Sequence, residues 1–138
     1  MYEINLWSVL VSAIASMVIG SIWYGPLFGK KFMSAMGMDQ WSPEKQAEMK
    51  KAMMLKYLWQ FIASLVMFFV LASLIVWNVP TQGAKSGMVM AFWLWLGFVV
   101  PIKFGDSLWG GKMTLFWLSI FNMLITLLVG GAIIGAWH

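Results

Sequence analysis

The chain alternates long apolar runs with short polar interruptions. No charge stands between Glu3 and Lys30. Residues 4–24 of that run are long enough to cross a bilayer, which takes about 20 residues. A second uncharged run lies between Lys56 and Lys85, with 57–79 as its core. Residues 86–105 give a third span continuing past Pro101, and 113–137 a fourth without any charge. None of the four alternates in polarity as the strands of a membrane barrel do. In a bilayer, backbone hydrogen bonds must close within the segment itself. The pattern therefore predicts an all-α integral membrane protein: four transmembrane helices bundled as one domain over residues 1–138.

The widest interruption, 25–56, reads as an interfacial segment. Trp23, Tyr24, Gly25 and Pro26 close the first span with interfacial aromatics and a turn, because proline cannot continue the helix. Leu27 to Met38 mixes Phe28, Phe32, Met33 and Met36 with Lys30 and Lys31, which suits a short helix or loop at the membrane surface, stopped by Gly37. Ser42-Pro43-Glu44 then supplies an N-cap, a first-turn proline and an acid near the positive helix end. Nothing breaks the helix from there to Val79. At 1.5 Å per residue it would reach roughly 50 Å, so its first turns should project from the membrane.

Composition agrees with this reading. Apolar residues make up 62% and charged ones 10%, whereas a soluble domain needs roughly a quarter charged. The net charge of +4 comes from nine lysines, no arginine and five acids. Eight of the lysines (Lys30, Lys31, Lys45, Lys50, Lys51, Lys56, Lys103, Lys112) fall in or beside the loops after spans one and three, against Lys85 alone on the other side. The positive-inside rule then puts those loops in the cytoplasm and both termini outside, in a multi-pass protein of the cytoplasmic membrane. The first span is expected to be a retained anchor, since nothing basic precedes it. The expected partners of the lysines are anionic headgroups rather than nucleic acid.

Chemistry is sparse. Cysteine is absent and the sole histidine is His138. Thiolate catalysis, disulfides and an internal imidazole base are excluded. Methionine clusters (Met33, Met36, Met38; Met49, Met53, Met54) could offer thioethers to Cu(I), yet methionine is also ordinary apolar filler, and no metal or cofactor is assigned. Phe104-Gly105-Asp106 lacks the second aspartate that a paired-carboxylate mechanism needs. No nucleotide-binding glycine loop occurs, and an enzyme is not expected.

Small and polar residues carry what remains. Ser8, Ser12, Ser16 and Gly20 recur at steps of four, and Gly131 and Gly135 do the same in the last span. They form either a helix-packing seam, within or between subunits, or a serine-lined polar path. Ser119, Asn122 and Thr126, with Gly130, share one side of span four, and Gln60 and Ser64 lie one turn apart in span two. These groups either bond between helices or line a cavity. Lys103 and Asp106, just past Pro101, are an interfacial ion pair or a functional site. Trp93 and Trp95 lie about 10 to 14 Å into the membrane, where a tryptophan packs in a core or stacks a ligand.

Trp23-Tyr24-Gly25-Pro26-Leu27-Phe28-Gly29-Lys30, together with Phe121-Asn122 and Gly130-Gly131-Ala132-Ile133-Ile134 up to Trp137, resembles a family of small bacterial membrane proteins. That family is catalogued as domain of unknown function 1761. The resemblance covers essentially the whole chain and implies a four-span inner-membrane protein. It brings no activity and no catalytic residue. Two functions remain in view. One is a small solute or ion transporter, channel-like and homo-oligomeric, in which Gln60, Asn122 and Asp106 contact solute or proton. The other is a non-catalytic accessory subunit docking a partner through the helix that starts at Ser42.

Overall fold

The computed structural model describes residues 4–37, 40–78, 83–110 and 112–137. The expectations for Glu3, Met38, Val79 and His138 fall outside the described residues. Everything regular within them is helical. The Asn5 side chain caps the first helix, accepting from the Trp7 N–H at 3.0 Å, and α1 runs Leu6–Ile22. Pro26 has no N–H to give the carbonyl one turn back, so the chain widens into a π-helical turn, Trp23–Leu27. The Phe28 N–H closes that turn on the Trp23 carbonyl at 2.9 Å. α2 follows at Gly29–Met36 and stops at Gly37, whose φ of 74° is the left-handed cap that favours glycine.

α3 runs unbroken through Pro43–Asn78, 36 residues, with the Ser42 hydroxyl accepting from the Lys45 N–H at 3.3 Å. Ser-Pro-Glu thus opens a helix far longer than a bilayer requires. From Pro43 to Gln60 the residues are exposed apart from half-buried Gln46, Met49 and Met53. Span three is one continuous helical rod in three pieces: α4 (Ala84–Leu94), a π-helical turn (Trp95–Val99) and α5 (Val100–Trp109). It extends past residue 105 rather than ending near Pro101, so Lys103 and Asp106 are helical rather than loop residues. The π turn precedes Pro101 as the first precedes Phe28, its last bond running from the Val100 N–H to the Trp95 carbonyl. α6 spans Met113–Ala136. Four helical stretches, Leu6–Leu27, Pro43–Trp77, Ala84–Trp109 and Met113–Ala136, are long and apolar enough to cross a membrane.

α6 is the hub. It packs against α1, α3 and α4, and its first turns also meet α2 and α5. Ser12 reaches Gly130 and Trp23 reaches Leu118, so α1 and α6 run antiparallel. Gly87 lies against Gly131, and the Phe104 and Phe116 rings sit 5.7 Å apart, so the third span is antiparallel to α6 as well. This register collects residues 23–31 and 103–118 at one end of the bundle, and the opposite end holds Gly83 beside Gly135. The core between the helices is Val9, Ala13, Phe68, Leu71, Ala72, Ile75, Ala91, Trp95, Phe116, Ile120, Leu127 and Ile134.

Candidate functional site

α6 offers its neighbours two unlike faces. Toward α4 the contact is backbone on backbone. A Cβ placed on Gly87 would collide with the Gly131 carbonyl, and one on Gly135 with the Gly83 carbonyl. A Cβ on Gly131 would come within 2.9 Å of the Ala91 methyl. Gly131 and Gly135 therefore sit in a helix-packing seam inside the chain, with Gly83, Gly87 and Ala91 as the opposing stripe.

Toward α1 and α3 the contact uses side chains. Ser8 and Ser12 are buried, and the Ser12 hydroxyl donates to the Gly130 carbonyl at 3.5 Å. The Phe68 ring covers Gly130 from α3, and a Cβ there would collide with the ring. Below this level the seam loosens. Ser16 is only half-buried and bonds back to the Ala13 carbonyl at 2.6 Å, and a Cβ on Gly20 would meet nothing within 4 Å. By the register of α1 against α6, Ser16 stands level with Thr126 and Gly20 level with Asn122. α3 returns parallel to α6, so the Phe68 contact sets Ser64 level with Thr126 and Gln60 level with Asn122.

Most hydroxyls in this layer are satisfied within their own helix. Ser64 donates to the Gln60 carbonyl at 2.9 Å, and Ser119 to the Phe116 carbonyl at 3.0 Å. Thr126 and Asn122 differ. Thr126 is 4% exposed and its Oγ1 has no hydrogen-bond partner, and neither has the buried Oδ1 of Asn122 one turn away. A polar atom left open in an apolar interior costs about 1–3 kcal/mol, so two on one face mark where the bundle departs from pure packing.

Among the described residues, no other sequence candidate adds a buried open atom to this layer. Gln60 is exposed on α3 beside Trp59 and Tyr57. Lys103 and Asp106 are exposed on α5, near the level of Trp117 and Met113. Trp93 is 62% exposed, whereas Trp95 is buried and donates its indole N–H to the Ile120 carbonyl at 2.7 Å. The pair thus divides between outside and core.

Trp95 has a counterpart that sequence reasoning left among the interfacial aromatics. The Trp23 indole donates to the Leu118 carbonyl at 3.0 Å. Each tryptophan opens a π-helical turn, and the two carbonyls lie two residues apart on α6. α6 is held from both sides by indole N–H groups. The remaining residues of the first motif serve this turn. Phe28 packs on Trp23 with centroids 4.6 Å apart, and buried Gly29 sits so near the Tyr24 carbonyl that a Cβ would come within 2.9 Å of it. A signal for Trp95 was present, since Gly87, Ala91 and Trp95 recur at steps of four and so share one helix face.

These features define a class, the small all-helical protein with four helices apolar enough to cross a membrane. Over residues 7–135 the chain matches the family described as "Protein of unknown function (DUF1761)", and it belongs to that family. No curated protein and no solved structure matches it.

Proposed function

We propose that this is a multi-pass protein of the bacterial cytoplasmic membrane, its lysine-rich end inside, that passes a small polar solute or ion through the bundle as a homo-oligomer. The observation that carries this reading is the open pair, Asn122 Oδ1 and Thr126 Oγ1. Interhelical packing would have bonded them, since an unpaired polar atom in lipid is costly. A transient polar guest, bonded and released in turn, gives such atoms a use. Ser16 and Ser64 at the level of Thr126, with Gly20 leaving room beside Asn122, extend the layer toward the lysine-bearing end. Four helices enclose little volume, so a second copy would complete the path. Asp106, exposed in the single chain, lies nearer the lysine-bearing end than this layer.

The test is permeability of reconstituted liposomes to glycerol and to protons, read by light scattering and by an entrapped pH dye. Wild type should exceed protein-free liposomes, and an Asn122→Leu, Thr126→Val double variant should fall to the protein-free rate. Equal rates for the wild type and that variant would remove the role of the pair.

One observation favours a second reading, an accessory subunit. The stem of α3 from Pro43 to Lys56 is exposed along most of its length, as a docking helix would be. Cross-linking from this stem in native membranes decides the matter: capture of nothing but a second copy leaves the docking role without support.

A further inference from the structure

We propose that the cleft between α2 and the first turn of α6 is a binding site for a phosphate-bearing anion. The cleft has a volume of about 630 Å³ and is lined by Lys30, Lys31, Ser34, Ala35, Lys112 and Thr114. Three lysines and two hydroxyl-bearing residues line it, the Lys31 ammonium also lying 6.0 Å from the Phe28 ring centroid, and no acid is among the described residues that line it. Like charges gathered without a counter-charge repel one another, and an anion among them relieves that repulsion.

The fold builds this convergence deliberately. The Pro26 turn ends the first span, and the close approach of Gly29 to the Tyr24 carbonyl folds α2 across the end of the bundle toward α6. Phe28 on Trp23 and Phe32 on Tyr24 pin α2 there, the second pair with centroids 4.8 Å apart. Lys30 and Lys31 are therefore held opposite Lys112, about eighty positions away in the chain. The start of α6 adds to the field: no side chain caps it and its first turn carries no acid, so its positive end is uncompensated on the side where Thr114 lines the cleft.

Phosphate suits this set better than a carboxylate does. Its oxygens accept from several directions at once, matching three mobile ammonium groups and two hydroxyls spread around the walls. The volume leaves room for more than the phosphate itself. The phosphate could belong to an anionic lipid headgroup or to a free phosphate, and the chemistry of the site is the same for both. The inference does not depend on the transport reading, because none of these residues belongs to the Asn122 layer.

Native mass spectrometry of the intact protein in neutral detergent tests it. Phosphatidylglycerol, phosphatidylcholine and inorganic phosphate are each titrated, and then phosphatidylglycerol in the presence of inorganic phosphate. The variant is Lys30→Gln, Lys31→Gln, Lys112→Gln, and the control is Lys45→Gln, Lys50→Gln, Lys51→Gln on the exposed stem of α3. The wild type should retain phosphatidylglycerol in preference to phosphatidylcholine. At roughly fivefold per lysine, the cleft variant should bind on the order of a hundredfold more weakly, and the control should change much less. Lipid that resists inorganic phosphate identifies a headgroup site, and displacement by millimolar phosphate identifies a soluble phosphate as the guest. Equal losses in the cleft variant and the control, or no loss in the cleft variant, would overturn the proposal.

Discussion

The two faces of α6 solve the same packing problem by different means. Against α4, four glycines and Ala91 bring two backbones together, and no side chain fits between them. Against α1 and α3, serines, a phenylalanine and a threonine meet, and the contact loosens toward the lysine-bearing end. The glycine face gains dispersion contacts along its whole length and exposes no polar side-chain atom to an apolar medium. The serine face gives up some of that closeness and leaves Asn122 Oδ1 and Thr126 Oγ1 open. One face is closed by backbone contact, and the other keeps two polar atoms without partners.

Substitutions that separate the two faces make this contrast breakable. The largest effect is expected at the glycine seam. Gly131→Leu or Gly87→Leu must drive α4 and α6 apart, at a cost on the order of 3 kcal/mol, so the detergent-solubilised protein should lose its cooperative thermal transition. A variant with an unchanged transition would mean that the backbones do not meet.

The indole clamps come next. Trp95→Phe keeps a ring but removes the donor to the Ile120 carbonyl, and should cost about 1–2 kcal/mol in thermal unfolding. Trp23→Phe should cost less, its bond being longer and only part-buried, and Trp93→Phe should cost nothing measurable. Equal losses at positions 93 and 95 would contradict the division of this pair. Ser12→Ala removes a 3.5 Å bond and should lower stability by only about 0.6 kcal/mol.

The smallest stability effect belongs to the open pair. Asn122→Leu with Thr126→Val deletes the two buried atoms that bond to nothing, together with the Asn122 amide nitrogen, so unfolding should be unchanged or shifted upward by up to about 1 kcal/mol. This variant sharpens the comparison most, because the proposed permeability should vanish while the fold persists. A destabilised double variant would show that both atoms are engaged in holding the bundle.

Much of the fold was legible because membrane helices announce themselves by length and apolar content. The start of α3 was legible too, since Ser42, Pro43 and Glu44 each fit a first-turn requirement. The packing was harder to read. Ser8 and Ser12 could be recognised as a seam, but nothing in one sequence told whether its partner was α6 or a second copy. The same small-residue rule applied to the third span would have exposed Gly83, Gly87 and Ala91, and with them the buried side of Trp95. Depth alone could not separate Trp93 from Trp95, because residues two apart on a helix point to nearly opposite sides yet differ by only about 3 Å in depth. The cleft was invisible for a different reason: Lys30 and Lys112 come together only through the turn at Pro26 and the fold of α2 over the end of α6.

The central place of α6 also sets the order of assembly. α6 is the last of the described helices to leave the ribosome, yet α1, α3 and α4 all rest on it, while α3 and α4 touch each other little. Helices can enter the bilayer one at a time, each closing its own backbone bonds, and associate afterwards. Until α6 arrives, the serines of α1 and the glycines of α4 have no surface to meet. Before α6, α1 and α3 already pack on each other, but α4 stands without its main partner. Completion of the final helix is therefore the step that joins α4 to the pair formed by α1 and α3.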